Sequence, residues 1–339
     1  MTRLQGLLLV LVSAFSVGLM TEPLPAQPFG GASPIPGAPS YLGDSSGDPT
    51  SVWYKQEKLF YTFYFQDHRV YYQSHFKTFH SAVAEVPGNG QLRGDSLAAI
   101  VYLGQLQLYG CGLDGQIYIN VKQPRGDWSG WFTFAFHPPA TGVHSGYVYR
   151  NSAGNDNVFI FFWGTGRENY ALRFSEAHRW DVVSLGSGFD SVTAVHTGVG
   201  NAFFAFGIAG GYSYSNFYAE DSADPDYGDF QGWNLADPLH PQQKLWDDLT
   251  ACNFSNRDIS RAIRVYTLHP GFLDENSVIY RSEADAFDRM GGWVPILRTP
   301  WLRALHVTSI SFPTRHYTIL MVCSAETSSY LWMIAKERR

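Results

Sequence analysis

The chain has 339 residues, of which 16% are aromatic and only 16% are charged, and it contains 33 glycines. This composition favours strands and tight turns over surface helices, and it excludes a disordered chain because there is ample apolar surface to bury. The formal net charge of −6 and the lack of any Lys/Arg run argue against a nucleic-acid groove, and three cysteines are too few for a disulfide-built scaffold.

The first 50 residues have the pattern of a targeting segment followed by a linker. Arg3 precedes an apolar run from Leu7 to Met20, which is too short for the roughly 20 apolar residues that cross a bilayer core of about 30 Å. Residues 1–20 are therefore predicted to be a secretory signal peptide, and the Pro-, Gly- and Ser-rich residues 21–50 an unfolded linker. The predicted location is the secretory pathway or the outside of the cell, with no membrane span after signal removal.

The body of the chain contains a repeat, and its clearest copy lies between residues 98 and 131. Residues 98–102, 106–109, 115–118 and 128–131 are short apolar or aromatic stretches separated by turn residues such as Asp114-Gly115. Alternating side chains and short turns are typical of hairpins, so this copy predicts four antiparallel strands.

Three features of this copy recur along the chain. The second strand ends in large apolar residues, at Arg69-Val70-Tyr71, Leu108-Tyr109, Ile160-Phe161, Ala205-Phe206, Val265-Tyr266 and Leu320-Met321. The third strand carries an aromatic residue, at Phe79, Tyr118, Tyr170, Tyr214, Tyr280 and Tyr330. The fourth strand ends at a tryptophan, in Gly130-Trp131, Arg179-Trp180, Gly232-Trp233 and Gly292-Trp293.

Six such units fit between residues 51 and 339, which predicts an all-β, six-bladed β-propeller of four-stranded blades. Two packed half-sandwiches are the alternative fold. The sixth unit lacks a Gly-Trp strand, whereas residues 51–55 form a spare apolar strand ahead of the first unit. Because an exposed edge is a liability, this N-terminal strand is predicted to pair with the last blade and to close the ring.

One glycosylation sequon, Asn253-Phe254-Ser255, lies in the fifth unit. In a secreted chain this motif predicts a glycan on Asn253, which requires that the segment lies at the surface.

Two of the predicted second strands resemble a known family. His68-Arg69-Val70-Tyr71-Tyr72-Gln73 and Ala262-Ile263-Arg264-Val265-Tyr266 are similar to the second strand of the fungal fucose-specific lectins, six-bladed propellers with similar Gly-Trp strand endings. The resemblance implies that fucose binds between blades, held by an Arg on the second strand and a Glu on the third. Aromatic rings would cover the apolar face of the sugar.

Most of the positions implied by this resemblance are changed in the present sequence. The Arg position is occupied by Arg69, Gln107, Phe159, Phe204, Arg264 and Ile319. The Glu position, taken as one residue past the third-strand aromatic, is occupied by His80, Ile119, Ala171, Ser215, Arg281 and Leu331. Since no unit has the Glu, the sequence predicts that fucose affinity is lost and that aromatic cavities remain.

The chain is also similar to secreted, lectin-like propellers that act as hetero-Diels–Alderases, in its signal peptide, length, sequon and apolar substitutions. That similarity implies a reaction joining a tropolone quinone methide to a sesquiterpene such as humulene, in which alignment of two apolar partners supplies much of the acceleration. Arg69 and Arg264 are predicted to be catalytic, by polarising the oxygen-rich partner. The residues predicted to line the substrate pocket are Tyr71, Tyr118, Phe159, Trp163, Tyr170, Phe204, Tyr214, Tyr280 and Trp332.

Other kinds of site find no support in the sequence. Motifs of metalloproteases, hydrolase elbows, phosphate loops and zinc sites do not occur, so neither a cofactor nor a metal is expected. The predicted partners are apolar small molecules. A carbohydrate-binding lectin with eroded sites and a non-catalytic interaction propeller stay open as alternatives, because one fold hosts many functions.

Overall fold

The structure is a computed structural model. It describes residues 33–34, 49–76, 79–88, 92–133, 137–196 and 202–236, and the strands 249–254, 262–269, 278–284, 294–298, 304–311, 317–324 and 329–336. The strands within these ranges form six antiparallel sheets. Within the same ranges, no helix is long and apolar enough to cross a membrane.

The first three sheets are built from consecutive strands. The first contains β2 (Thr50–Tyr54), β3 (Leu59–Gln66), β4 (Arg69–Phe76) and β5 (Phe79–His80), with β6 (Ala84–Glu85) also paired to β4. The second contains β7 (Leu92–Tyr102), β8 (Gln105–Gly112), β9 (Ile117–Lys122) and β10 (Trp128–Thr133). The third contains β11 (Ala140–Arg150), β12 (Asp156–Gly164), β13 (Glu168–Ser175) and β14 (Arg179–Ser187).

The remaining three sheets repeat this order, and the last one recruits a strand from the N-terminal part of the chain. The fourth sheet contains β15 (Ser191–His196), β16 (Ala202–Ala209), β17 (Tyr212–Glu220) and β18 (Gly228–Leu235). The fifth contains β19 (Leu249–Phe254), β20 (Ala262–His269), β21 (Val278–Ala284) and β22 (Val294–Arg298). The sixth contains β23 (Ala304–Ser311), β24 (Tyr317–Ser324), β25 (Ser329–Lys336) and β1 (Ser33–Pro34).

The first strands of the sheets are the innermost ones. They contact one another in cyclic order: β2 with β7, β7 with β11, β11 with β15, β15 with β19, β19 with β23, and β23 with β2. The all-β class and the four-stranded antiparallel units predicted from the repeat are therefore confirmed.

Among the first four sheets, whose side chains the structure describes, the core lies between consecutive sheets. The third sheet is buried on both faces. In β12, Val158, Ile160 and Phe162 pack with residues of the second sheet, whereas Phe159 and Phe161 pack with residues of the fourth. Burial on both faces explains why the sequence of this strand is a continuous apolar run instead of an alternating one.

The Gly-Trp pairs mark bulges in the outer strands. The pairing of β10 with β9 shifts between Trp128 and Trp131, where Gly130 has a φ of 80° that favours glycine. In β18, Gly232 has a φ of 101°, and its N–H donates to the buried Asn216 Oδ1 at 3.0 Å. A bulge re-aims the next side chain, and both tryptophans pack against the apolar clusters between sheets.

Two parts of the predicted strand order are wrong. The strand at 51–55 does not pair with the last sheet: Thr50–Tyr54 pairs with Leu59–Gln66 in the first sheet, and Ser33–Pro34, inside the predicted linker, pairs with β25. In addition, Arg69-Val70-Tyr71 lies on the third strand of its sheet and Phe79 on an outer strand. The first unit has no Gly-Trp strand to set the frame, so the repeat pattern places its strands one position out of phase.

Candidate functional site

The candidate site is defined by one residue on the second strand of each sheet and its direct partner on the third strand. These central pairs are Tyr61–Ser74, Gln107–Val121, Phe159–Arg173, Phe204–Phe217, Arg264–Glu283 and Ile319–Ile334. Directly opposite residues of an antiparallel pair are neighbours on one face, so a second-strand Arg and a third-strand acid would meet one ligand here. In the first sheet Tyr61 takes this position, because Arg69 lies on the third strand.

The register corrects the position assigned to the glutamate. In the second to fifth sheets, the partner of the second-strand residue lies three residues past the third-strand aromatic, as Glu283 does after Tyr280. Counting only one residue past the aromatic reaches Arg281, two residues before Glu283. Positions two apart share a face of the strand, but Arg281 is paired with Tyr266 and not with Arg264. In the fifth sheet, the residue opposite Arg264 is therefore Glu283 and not Arg281.

In the central pairs of the second and fourth sheets, the second-strand residue is buried and its partner is half-buried. Gln107 is 8% exposed, and its Oε1 accepts a 2.7 Å hydrogen bond from the Tyr109 hydroxyl. Phe204 is buried, with its ring centroid 5.9 Å from that of Phe206 and 5.3 Å from that of Phe217. Both second-strand side chains are thus held by contacts within the protein.

The central pair of the third sheet contains an arginine on the third strand, and this arginine links two sheets. Arg173 is 2% exposed; its Nε donates to Asp181 Oδ1 at 3.0 Å and its Nη1 donates to the Gly228 carbonyl oxygen at 2.6 Å. Its guanidinium carbon lies 4.0 Å from the centroid of the Tyr227 ring. Burial lowers the pKa of Arg173, but the Asp181 carboxylate outweighs burial and raises it above the usual value. This cation is fully engaged with the protein itself.

Arg69, the first predicted catalytic residue, lies at the surface. It begins β4, its side chain is 57% exposed, and its Nη1 is 3.3 Å from Glu85 Oε2. Tyr71, two residues further on, is paired with Glu85 across the strands and is half-buried. The arrangement is that of a solvated ion pair.

Five of the predicted pocket aromatics have described side chains that pack in the protein interior. Phe159 and Phe204 are core residues of different sheets. Tyr118, Tyr170 and Tyr214 are half-buried and pack into three different apolar clusters between sheets.

Two of these tyrosines each pack their ring against a glycine. Gly112 faces the ring of Tyr118 and Gly164 that of Tyr170, each so closely that an added Cβ would come within 2.6 Å of a ring carbon. The Tyr118 hydroxyl donates to Asp114 Oδ2 at 2.8 Å. At these two positions the repeated aromatic is therefore explained by packing.

Trp163 lies next to a histidine that the sequence did not single out. His144 sits where the pairing of β11 with β12 shifts between Val143 and Ser145, and its ring centroid is 3.8 Å from that of Trp163. Its Nε2 is 3.0 Å from Asn169 Oδ1. Burial, only partly offset by this hydrogen bond, lowers the pKa of His144 to about 3. The ring is neutral at ordinary pH, and no sequence signal pointed to a bulge here.

The other predicted residues are located by their strands. Arg264 lies on β20, Tyr280 on β21 and Trp332 on β25, so Trp332 belongs to a different sheet from the other two. Asn253 lies on β19 opposite Ile263, one residue before the strand ends. Ser255 of the sequon lies outside the described residues. In the described part of the chain, no group of three or more His, Cys, Asp and Glu side chains could hold a metal ion.

No protein-family model matches the chain, and no curated protein matches it. Solved structures do. The Aleuria aurantia lectin in complex with Fucα1-6GlcNAc has a TM-score of 0.58 at 12% identity, over 87% of this chain and 93% of that one. A lectin from Burkholderia pseudomallei has a TM-score of 0.61 at 14% identity, over 87% of this chain and 83% of that one.

A protein of unknown function from Dyadobacter fermentans has a TM-score of 0.64 at 9% identity, over 93% of this chain and 100% of that one. At such low identities these similarities establish the fold, which is that of the lectin β-propellers.

Proposed function

We propose that this protein is a carbohydrate-binding propeller of the lectin type, with one sugar site at Arg264 and Glu283 in the fifth sheet. The observation that supports it most is the register, which pairs these two residues directly. The lectins among the similar structures, one of them holding a fucosylated disaccharide, favour the same interpretation. In this proposal the six sheets are six blades, closed where β23 meets β2.

The chemistry of the pair suits a sugar. A guanidinium donates two parallel hydrogen bonds to adjacent oxygens, and a carboxylate accepts from hydroxyl groups, so together they bind a vicinal diol. Charge-assisted hydrogen bonds contribute about 1.5–3 kcal/mol each, which corresponds to roughly tenfold to a hundredfold in affinity. The other five central pairs lack this combination, so we expect one site per chain.

Calorimetric titration with methyl α-L-fucoside and a panel of other monosaccharides tests this proposal. We expect a stoichiometry near one per chain, and a loss of affinity of about tenfold or more in Arg264→Ala and in the isosteric Glu283→Gln. Arg69→Ala is the matched control, because it removes an arginine from the other lectin-like strand. Folded wild-type protein that binds no sugar, or binding that survives in Arg264→Ala, contradicts the proposal.

A second candidate is a hetero-Diels–Alderase that joins a tropolone quinone methide to a humulene-like sesquiterpene. The observation that favours it is the apolar second-strand residue in three central pairs, which is Phe159, Phe204 or Ile319. Both phenylalanines are buried in the core, so an apolar pocket would have to involve other residues.

The assay for this candidate generates the quinone methide with humulene, with and without protein, and compares rate and stereochemistry. A protein-dependent change in product ratio that survives in Arg264→Ala favours catalysis away from the fifth sheet. An unchanged rate and product ratio excludes the activity for this substrate pair.

Secretion also belongs to the proposal, with cleavage of the signal within residues 1–26 and a glycan on Asn253. Intact mass spectrometry of protein secreted from a eukaryotic host, before and after glycosidase treatment, tests both. A retained N-terminus, or an unmodified Asn253, contradicts the respective part.

A further inference from the structure

One asparagine between the third and fourth sheets is buried without hydrogen bonds to its side chain. Asn157 lies near the start of β12 and is completely buried. Among the described residues, neither its Oδ1 nor its Nδ2 has a hydrogen-bond partner. A buried polar group that is left unpaired destabilises a fold, so the position of this side chain needs an explanation.

The other buried asparagines in the described ranges are each hydrogen-bonded to a main-chain group. They are Asn120, Asn151, Asn169 and Asn216, whose main-chain partners belong to Pro87, Pro225, Phe189 and Gly232. Asn157 is the exception in this part of the chain. Since buried polar groups in native proteins are paired either with the protein or with ordered water, the exception indicates a partner that is not part of the protein.

A second unpaired polar group lies in the same junction. Tyr218 on β17 is completely buried, and its hydroxyl has no hydrogen bond of normal geometry among the described residues. The guanidinium of Arg173 lies beside this hydroxyl, but it donates to Asp181 and to the Gly228 carbonyl oxygen. The Tyr218 hydroxyl is therefore available to another partner.

The register places Asn157 on the face of the third sheet that packs against Tyr218. Asn157 is paired with Tyr149 on β11, and Phe159, two residues further along β12, shares its face. The rings of both neighbours pack on Tyr218, with centroid distances of 5.9 Å for Tyr149 and 5.0 Å for Phe159. The unpaired amide and the unpaired hydroxyl thus belong to opposite sides of one junction.

The chemistry of these two groups suits water. A carboxamide offers two donors and an acceptor, and a phenol offers one donor and an acceptor. A water molecule donates and accepts, so it can bond to both groups in any of their orientations. Because both side chains are completely buried, the bound molecule also has to be small. Internal waters typically make about three hydrogen bonds to polar groups that are otherwise unpaired.

We propose that the junction between the third and fourth sheets contains a buried water site. One ordered water molecule is bonded there to the Asn157 amide and to the Tyr218 hydroxyl, and it links β12 to β17. The site is separate from the proposed sugar site in the fifth sheet, and it does not depend on sugar binding.

A crystal structure of the full chain, at a resolution that shows ordered waters, tests the site directly. We expect a water within about 3.2 Å of an Asn157 amide atom and of the Tyr218 oxygen. The same water should be missing from crystals of Asn157→Leu. A direct hydrogen bond from Asn157 to a protein group, or a junction without water, overturns the proposal.

Apolar substitution tests the pairing of the amide in solution. If Asn157 is bonded to water, Asn157→Leu loses these bonds and the melting temperature should fall by a few degrees. If the amide is unpaired, the same variant removes a desolvated polar group and the melting temperature should rise. A rise therefore contradicts the proposal.

A double-mutant cycle tests whether one water serves both residues. Tyr218→Phe should also lower the melting temperature, and the double variant with Asn157→Leu should lose less than the sum of the two, because both changes remove the same water. Asn120→Leu is the matched control, since it breaks a direct bond to Pro87, and its effect should add to that of Tyr218→Phe. Full additivity of Asn157→Leu and Tyr218→Phe would overturn the shared site.

Discussion

The third and fifth sheets each contain an arginine in the central pair, but on different strands. In the third sheet the second-strand residue is Phe159 and the arginine is its partner, Arg173, whose donors are taken by Asp181 and Gly228. In the fifth sheet the second-strand residue is Arg264 and its partner is Glu283. One repeat position thus serves packing in one sheet and, in our proposal, ligand binding in another. An arginine in the sequence of such a sheet does not by itself identify a binding site. Its strand and its cross-strand partner must also be known.

Placing an arginine on the second strand of the third sheet, as in the fifth sheet, should give the largest effect. Phe159 is completely buried, 4.9 Å from Phe203 and 5.0 Å from Tyr218 between ring centroids. Phe159→Arg places an unpaired cation in this core, opposite Arg173, and should destabilise the fold by more than about 4 kcal/mol. Urea unfolding measures this, with Phe159→Leu as the control that keeps the site apolar. Equal stability of the two variants would mean that the sheet tolerates an arginine here.

Removing the third-sheet arginine should cost less, but still a large part of the stability. Arg173→Met leaves Asp181 and the Gly228 carbonyl without their cation, and we expect a loss of about 3 kcal/mol. That is the low end for a broken buried pair, because Asp181 is one-third exposed. Arg150→Met is the control, since the Arg150–Asp156 pair is exposed and should change stability little. The comparison fails if Arg264→Met destabilises the protein as much as Arg173→Met does.

A nearly buried ion pair between the first and second sheets should also stabilise the fold, and its contribution should depend on pH. Lys122 Nζ is 2.8 Å from Glu57 Oε1, and both side chains are nearly buried. Burial raises the pKa of Glu57, but hydrogen bonds from Lys122, Tyr61 and the Arg125 N–H outweigh it and hold the pKa below its usual value. The stability contributed by this carboxylate is fully present above the unfolded pKa of about 4.3, and it is lost as the pH falls through the lower folded pKa.

Urea unfolding of wild type and Glu57→Gln between pH 3 and pH 7 measures this contribution. We expect the difference in stability between the two proteins to shrink below about pH 4. Glu85→Gln, which removes the acid of the exposed Arg69 pair, should show no such difference. A constant gap between wild type and Glu57→Gln across this range contradicts the prediction.

The smallest effect at neutral pH should come from His144. Its folded pKa, about 3, is lower than the unfolded value of about 6.5, so stability is full above pH 6.5 and is lost progressively as the pH falls towards 3. His144→Gln should lose less stability than wild type between pH 6.5 and pH 4, as measured by thermal unfolding. Parallel pH profiles would show that the ring takes up a proton in the folded state.

Much of the fold could be predicted from local patterns, because each strand carries its own signal. The Gly130-Trp131 and Gly232-Trp233 pairs mark outer strands, since a bulge needs the glycine and the cluster between sheets needs the tryptophan. The first unit has no such pair, and its strand 69–76 resembles a second strand in sequence, so its phase could not be fixed without the pairing. The origin of the last sheet's outer strand depends on a contact between distant parts of the chain.

The candidate site was only half predictable. Arg264 is visible in the sequence, but its partner depends on the register of β20 with β21, and the intervening hairpin is longer than in the other units. Counting one residue past Tyr280 gives Arg281, which is two residues before Glu283, the residue paired with Arg264. The role of Arg173 was not predictable, because it rests on Gly228 and Tyr227 from the neighbouring sheet.

The fluorescence of two tryptophans between the third and fourth sheets should report on the packing of these sheets. Trp233 on β18 donates its indole N–H to the Leu185 carbonyl oxygen on β14 at 2.7 Å, and Trp163 on β12 donates to Phe189 in the connection between the sheets at 3.1 Å. Indole emission shifts to longer wavelength when the ring becomes hydrated, so separation of these two sheets should register as a red shift. The fluorescence of this junction can therefore be followed apart from events elsewhere in the protein, by replacing the other tryptophans with phenylalanine.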